Sequence, residues 1–496
     1  MAGRIGGMDT GSSAQDGLFD EFLVERVEQP TDVPMDANGG VRKRFKAFEP
    51  DAVMLVPPSL EEWLPQGHLA RFIGELVDDE LDLARFYASY AKAKGQPPYD
   101  PRLMLRILLY GYCVGVRSSR ELERACTDVV AFRWLCAQQA PDFRSIGRFR
   151  ERHLAALANV FLQALELCRA AGMVSLGHVA LDGTKVRANA SRHKAMSYAR
   201  LTEKQKVLAD EISDLMAEAK TVDAAEDARF GPGKRGDELP AELANRARRA
   251  EAMKTARESI EAEAAQRARR EAEEKARTRG DDDDDVSGKG EAAAAAAVPK
   301  ATAQRNFTDP DARIMKTADG SYHYCYNGQA VVDEDQQVIV ATELNNTGVD
   351  VQQLVPMVQN TQETLGAMPS KWSADAGYCS AANLEHVKDL EAGGGTEFFI
   401  STRRMKHNQP VPESPRGRIP ADATLGERMA RKLKTKRGRA VYARRKAIVE
   451  PVFGQIKTRQ GKHVLLRGLE KASREWKLMA GCHNLLKLFS YRTATA

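Results

Sequence analysis

Long apolar runs are missing from this 496-residue chain, and so are several short signatures that mark common enzyme classes. The most apolar stretch, Leu103 to Val116, is interrupted by Arg106 and stopped by Arg117, short of the ~20 residues a helix needs to cross a bilayer. No membrane span is expected. Cysteine is scarce: Cys113, Cys126, Cys136, Cys168, Cys325, Cys379 and Cys482 are scattered, odd in number and without a CxxC pair. That spacing signals neither a disulfide framework nor a zinc site and suits reduced thiols. A GxxxxGK[ST] phosphate loop is lacking, and Gly231-Pro-Gly-Lys234 is too short to replace it, so ATP hydrolysis is unsupported. The nine histidines form no HExxH or paired metal spacing. The N-terminal residues carry no basic start leading into an apolar run, so a secretion signal is not expected and a cytoplasmic location is.

Turning to what is present, the length suits two or three domains, because single cores rarely grow beyond roughly 250–300 residues. Hydrophobic residues at 43% and charged residues at 29% are an ordinary globular balance. The net charge of +5 says little, but its distribution says more. Between Arg428 and Lys446 ten of nineteen positions are Lys or Arg, whereas Asp281 to Asp285 is wholly acidic. Concentrated positive charge suits a polyanion such as nucleic acid, and it equally suits a solvated tail. His463 and His483 near this segment are open as DNA contacts or as incidental residues.

Residues 1–50 read as mostly unstructured, and residues 51–174 as a helical N-terminal, DNA-binding domain. Asp100 before Pro101 predicts a helix start, and Ser118 with Glu121 predicts a capping box. Between Asp142 and His153, a turn at Ser145–Gly147 is expected to lead into a basic helix bearing Arg148, Arg150 and Arg152. That helix fits either a DNA groove or an ordinary helical hairpin.

Residues 191–304 read as a helical, charged insertion with a linker. Leu201, Leu208, Ile212 and Leu215 mark a seam, Gly231-Pro-Gly233 a turn, and the Asp run with Ala292–Ala297 the linker. Strands are expected at His178–Asp182, Tyr322–Val332, Val338–Leu344, Trp372–Asp375 and Glu397–Ser401, interleaved with helices near Val351, Ala381 and Tyr442. With the insertion set aside, residues 175–190 and 305–490 then make an α/β domain, a mixed sheet covered by helices.

In this order Asp182 closes the first strand, Asp375 closes the fourth, and Glu450 sits on the last helix, so the three carboxylates can converge. Hard divalent ions such as Mg²⁺ take oxygen ligands, and a pair of them activates the nucleophile and leaving oxygen in phosphodiester cleavage. Each acid alone has a plainer reading, as a turn residue or a solvated helical glutamate. Lys446, Glu450 and Lys457 share one helix face, so both lysines are candidates to hold phosphates while Val449, Val452, Phe453 and Ile456 pack on the sheet. Pro451 predicts that this helix is kinked at Glu450 or begins there.

Four stretches resemble the DDE transposases of bacterial insertion sequences, in the branch with a helical N-terminal transposase domain. They are Leu-Asp182-Gly-Thr-Lys-Val-Arg-Ala-Asn-Ala-Ser191, Tyr326-Asn-Gly-Gln-Ala-Val-Val-Asp333, Ala-Asp375-Ala-Gly-Tyr-Cys-Ser-Ala-Ala-Asn383, and Tyr442-Ala-Arg-Arg-Lys-Ala-Ile-Val-Glu450-Pro-Val-Phe-Gly-Gln-Ile-Lys457. The resemblance covers about residues 50–190 and 305–490. It implies a ribonuclease H-like catalytic core with Asp182, Asp375 and Glu450 as catalytic metal ligands, and with Tyr442, Arg445 and Lys457 handling DNA ends. The expected cofactor is Mg²⁺, with Mn²⁺ as a substitute. Expected partners are double-stranded DNA, as element ends and as target, and further copies of the chain in a dimer or larger assembly at the nucleoid. Two other readings stay open: a DNA-binding regulator that performs no chemistry, and a nuclease on the same core.

Overall fold

The computed structural model describes residues 59–90, 97–191, 195–230, 241–279, 282–403 and 413–495. The expectations for residues 1–50 and for the Gly231-Pro-Gly233 turn lie outside the described residues. Before the first strand come α1 (Leu69–Glu75), α2 (Ala84–Tyr87), α3 (Pro101–Val114), α4 (Ser119–Asp128), α5 (Val130–Leu135), α6 (Phe143–Arg152) and α7 (Leu154–Ala170). The Asp100 carboxylate caps α3 by accepting from the Arg102 amide, with Pro101 in the first turn. The helix stops at Gly115, whose φ of +88° favours glycine and where a side chain would also strike the Arg459 carbonyl. Ser118 and Glu121 form the capping box of α4.

The turn expected at Ser145–Gly147 is absent. Asp142 accepts from the amides of Arg144 and Ser145, so α6 starts at Phe143 and takes all three residues into its body.

The strands are β1 (His178–Arg187), β2 (Ala195–Ser197), β3 (Gln304–Asn306), β4 (Arg313–Lys316), β5 (Tyr322–Asp333), β6 (Ile339–Asn345), β7 (Lys371–Ala374) and β8 (Glu397–Ile400). Six of them form one mixed sheet in the order β4-β5-β1-β7-β8, with β6 also on β5. β1 runs antiparallel to β5 and parallel to β7. It does not end at Asp182, because the long β5 ladder carries it on to Arg187 opposite Cys325. The short edge strand β4 and the β2–β3 pair had no clear alternation to announce them.

The insertion leaves and returns through the antiparallel β2–β3 pair. Its helices α8 (Tyr198–Phe230) and α9 (Ala241–Arg279) pack together around a small core of Leu201, Leu208, Met253, Ala256 and Ile260. Glu263 on α9 forms ion pairs with both Arg305 and Arg313, tying the helix to β3 and β4. The supposed linker is also helical: α10 (Asp283–Ala295) lies against α9. Alanine is the strongest helix former, and aspartates at the start complement the helix dipole, so the acidic run and alanine tract extend structure rather than break it.

Among the described residues the α-helices that follow are α11 (Leu354–Leu365), α12 (Ala381–Ala392), α13 (Leu425–Lys434), α14 (Lys436–Arg459) and α15 (Leu469–Thr495). α15 lies between α7 and β6, and buried Trp476 sits over Gly328 of β5, where a Cβ would come within 2.8 Å of the indole. A single hydrophobic cluster therefore takes in α3, α7, the sheet and α15. Among the described residues no helix is long and apolar enough to cross a membrane.

Candidate active site

The parallel register of β1 and β7 sets the first two acids side by side. Leu181 pairs with Ala374, and an aspartate follows each of them. Neighbouring strands lie ~4.8 Å apart, so Asp182 and Asp375 emerge together at the point where β7 stops. Asp375 turns the chain there, its Oδ1 accepting from the Gly377 amide at 2.8 Å.

α14 crosses β1 and brings the third acid. Ile448, Val449, Val452, Phe453 and Ile456 bury one side of it, which leaves Glu450 on the open side with its side chain 53% exposed. The helix does not begin at Glu450: it runs from Lys436 to Arg459 with Pro451 inside it. The carbonyl that Pro451 cannot reach, Ala447, takes a hydrogen bond from the Gln337 side chain instead.

Arg445, one turn earlier, lies between two of the acids. Its Nη1 donates to Asp182 Oδ2 at 2.8 Å and its Nη2 stands 3.6 Å from Glu450 Oε1. Burial opposes the Arg445 charge, but Asp182, Tyr442 and Asp375 outweigh it and raise its proton affinity above the usual value. Burial pushes the Asp182 carboxyl up to about 6, with Arg445 pulling it down and Asp375 pushing it further up. Lys457, two turns beyond Glu450, donates to the Thr184 hydroxyl on β1. Burial lowers its proton affinity.

The remaining sequence candidates divide. The Arg445 guanidinium lies 5.9 Å from the Tyr442 ring centroid, and Lys446 is exposed. Arg148 and Arg152 are exposed on α6. Arg150 is buried and donates to the Arg117 carbonyl at 2.6 Å over the Tyr112 ring, so it holds helices together rather than facing solvent. His483 is likewise buried, against the Gln337 carbonyl, whereas His463 is at the surface.

One acid near the site carried no sequence signal. Asp350, in the loop before α11, lies 3.5 Å from Lys185 Nζ and accepts from Asn327 and Gln329 of β5. Only the unusual polar pair at Asn327 and Gln329, inside an otherwise apolar strand, could have hinted at it.

Asp182 and Asp375 fit a hard cation: both are oxygen donors, and the desolvated, crowded Asp182 carboxyl is relieved by any nearby positive charge. Arg445 supplies one such charge and stands between Asp182 and Glu450. Among the described residues no three His, Cys, Asp or Glu side chains are gathered closely enough to hold a metal ion.

A mixed sheet with paired aspartates at its centre and a glutamate on a crossing helix is a ribonuclease H-like arrangement. Residues 58–152 match the family model described as Transposase domain (DUF772), and residues 300–485 match the Transposase DDE domain. With both domains in one polypeptide, the chain belongs to the DDE transposases of insertion sequences. The second match begins at the end of the insertion, so Asp182 joins this domain through strand pairing and not through the matched segment. No curated protein and no solved structure gives a significant match.

Proposed function

We propose that the protein binds the terminal inverted repeats of its own element and, in the cytoplasm, cuts and rejoins DNA there with Asp182, Asp375 and Glu450 as the catalytic carboxylates. The observation that carries this reading is the adjacent placement of Asp182 and Asp375, with Arg445 linking Asp182 to Glu450. Asp182 and Asp375 would hold a divalent ion, Mg²⁺ or Mn²⁺, and Glu450 would complete the ligand set once Arg445 turns away. Such ions, when bound, lower the cost of forming the nucleophile and of releasing the leaving oxygen.

The chain's own cations do the rest. Arg445 is placed to follow the charge from carboxylate to a DNA phosphate, for which its planar fork is suited. Lys446 and Lys457 flank Glu450 on the same helix, where they can fix the backbone of the end being cut, with Tyr442 beside them. Arg148 and Arg152 offer phosphate contacts on α6. Two ends must be held for joining, so the working form is at least a dimer.

The test is cleavage of DNA bearing the element ends by purified protein in Mg²⁺. Nicking at the ends is expected from the native chain and none from Asp375→Ala. Binding without nicking by the native chain would favour a regulator, and cutting that ignores the inverted repeats would favour a general nuclease.

A further inference from the structure

We infer that Asp350 is a positioning residue for Asp375, acting through a buried relay of Gln329 and Tyr378; this inference rests on the proposed role of Asp375. Asp350 Oδ1 accepts from Asn327 Nδ2 at 2.7 Å and from Gln329 Nε2 at 2.9 Å. Asn327 and Gln329 are fully buried, and they stand on one face of β5 opposite Lys185 and Gly183. By engaging the amide nitrogen of Gln329, Asp350 dictates which way that side chain points. Its oxygen, Oε1, then faces the Tyr378 hydroxyl, which donates to it.

Tyr378 is the last residue of the short turn that Asp375 begins, and its ring and hydroxyl are wholly buried. The turn is closed from both ends: Asp375 Oδ1 takes the Gly377 amide, and the Tyr378 hydroxyl is anchored in β5. Asn383 locks the two loops together, donating to the carbonyls of Val351 and Tyr378, both at 2.7 Å. Gly183 leaves the room. A Cβ there would meet Gln329 Nε2 at 2.5 Å and Asp350 Oδ1 at 2.8 Å, so the residue after Asp182 must lack a side chain for Asp350 to reach β5.

A ligand role for Asp350 would need its charge, whereas a positioning role needs only an acceptor oxygen. Asn keeps that oxygen and Ala does not. The experiment measures single-turnover cleavage of end DNA, DNA affinity without metal, and the Mg²⁺-induced rise in unfolding temperature, for Asp350→Ala, Asp350→Asn, Tyr378→Phe and Asp375→Ala. Asp350→Ala and Tyr378→Phe are expected to slow cleavage by about 10²-fold, the scale of a small misplacement of a reacting group, with DNA affinity unchanged. Both should raise the Mg²⁺ concentration for half of the thermal shift several-fold, and Asp350→Asn should restore most of the lost rate. Tyr378→Phe removes one hydroxyl only, and so reports on the relay even where Asp350→Ala fails to fold. An Asp350→Asn variant as slow as Asp350→Ala, or native rates in Tyr378→Phe, overturns the inference. Native cleavage by Asp375→Ala would overturn the reading of the site itself, a separate result.

Discussion

The Gln337 side chain donates from Nε2 to the main-chain carbonyl of Ala447 at 2.9 Å, and Ala447 is the residue four before Pro451. An α-helix would normally fill that carbonyl from the amide of residue 451, which proline lacks. A side chain from the β5–β6 turn thus completes the helix that carries Glu450. Gln337→Ala is expected to lower stability by roughly 1–3 kcal/mol, since its oxygen also accepts from Lys487 at 2.8 Å. In a Pro451→Ala background, where the amide returns, the same change should cost measurably less. Urea unfolding of the four proteins of this cycle reads the coupling.

Arg445 pairs with Asp182 and Glu450, two of the acids proposed as metal ligands. Arg445→Gln leaves Asp182, whose side chain is 20% exposed, without its cationic partner, and a loss of ~2–4 kcal/mol is expected in metal-free buffer. Millimolar Mg²⁺ should recover more stability in this variant than in the native protein. Thermal unfolding with and without Mg²⁺ checks it, and equal recovery in both would count against a cation site at Asp182.

His483 supplies a pH dependence with a definite sign. Burial pushes its pKa down to about 3, although the bond to the Gln337 carbonyl works the other way. The usual value is ~6.5, so between these limits the unfolded chain binds the extra proton and the folded one does not. Its contribution is therefore complete above pH ~6.5 and is lost as pH falls toward 3. Asp182, pushed up to about 6, gives the opposite slope between there and its ordinary value, and His178, lowered to about 4 chiefly by burial, adds to the acid loss. His483→Gln is expected to reduce the loss of stability between pH 7 and pH 3 by on the order of 3–5 kcal/mol. Chemical denaturation at a series of pH values measures it.

DNA affinity should separate the exposed cations from the buried one. Lys446→Ala, Arg148→Ala or Arg152→Ala is each expected to weaken binding and reduce the slope of log affinity against log salt by ~1, the signature of one lost phosphate contact. Arg150→Ala should leave the slope alone and destabilise the fold, since its guanidinium bonds the Arg117 carbonyl inside the helical region. Fluorescence anisotropy at several salt concentrations, with melting curves alongside, distinguishes the two.

The strands flanking the acids were legible because β5, β6 and β7 carry dense apolar text ended by turn residues, and the capping side chains Asp100 and Ser118 announced their helices. What could not be read was set by long-range partners. β1 passes Asp182 because β5 is long enough to hold it, and α14 passes Pro451 because Gln337, 110 positions away, serves Ala447. Arg150 looked like its exposed neighbours until packing against Tyr112 and Arg117 decided otherwise. Asp350 stands in a loop with no local pattern, and only the fold reveals which side chains it touches.

The position of β1 in the sheet bears on how the chain is made. This central strand leaves the ribosome before the whole insertion, and both of its hydrogen-bonding neighbours, β5 and β7, are encoded after it. At ~5–20 residues per second, β1 waits roughly 7–30 s with two open edges. Meanwhile α8 and α9 can close on their own apolar seam, so the insertion folds without β1, and the waiting strand stays open to pairing with the same strand of a neighbouring nascent chain.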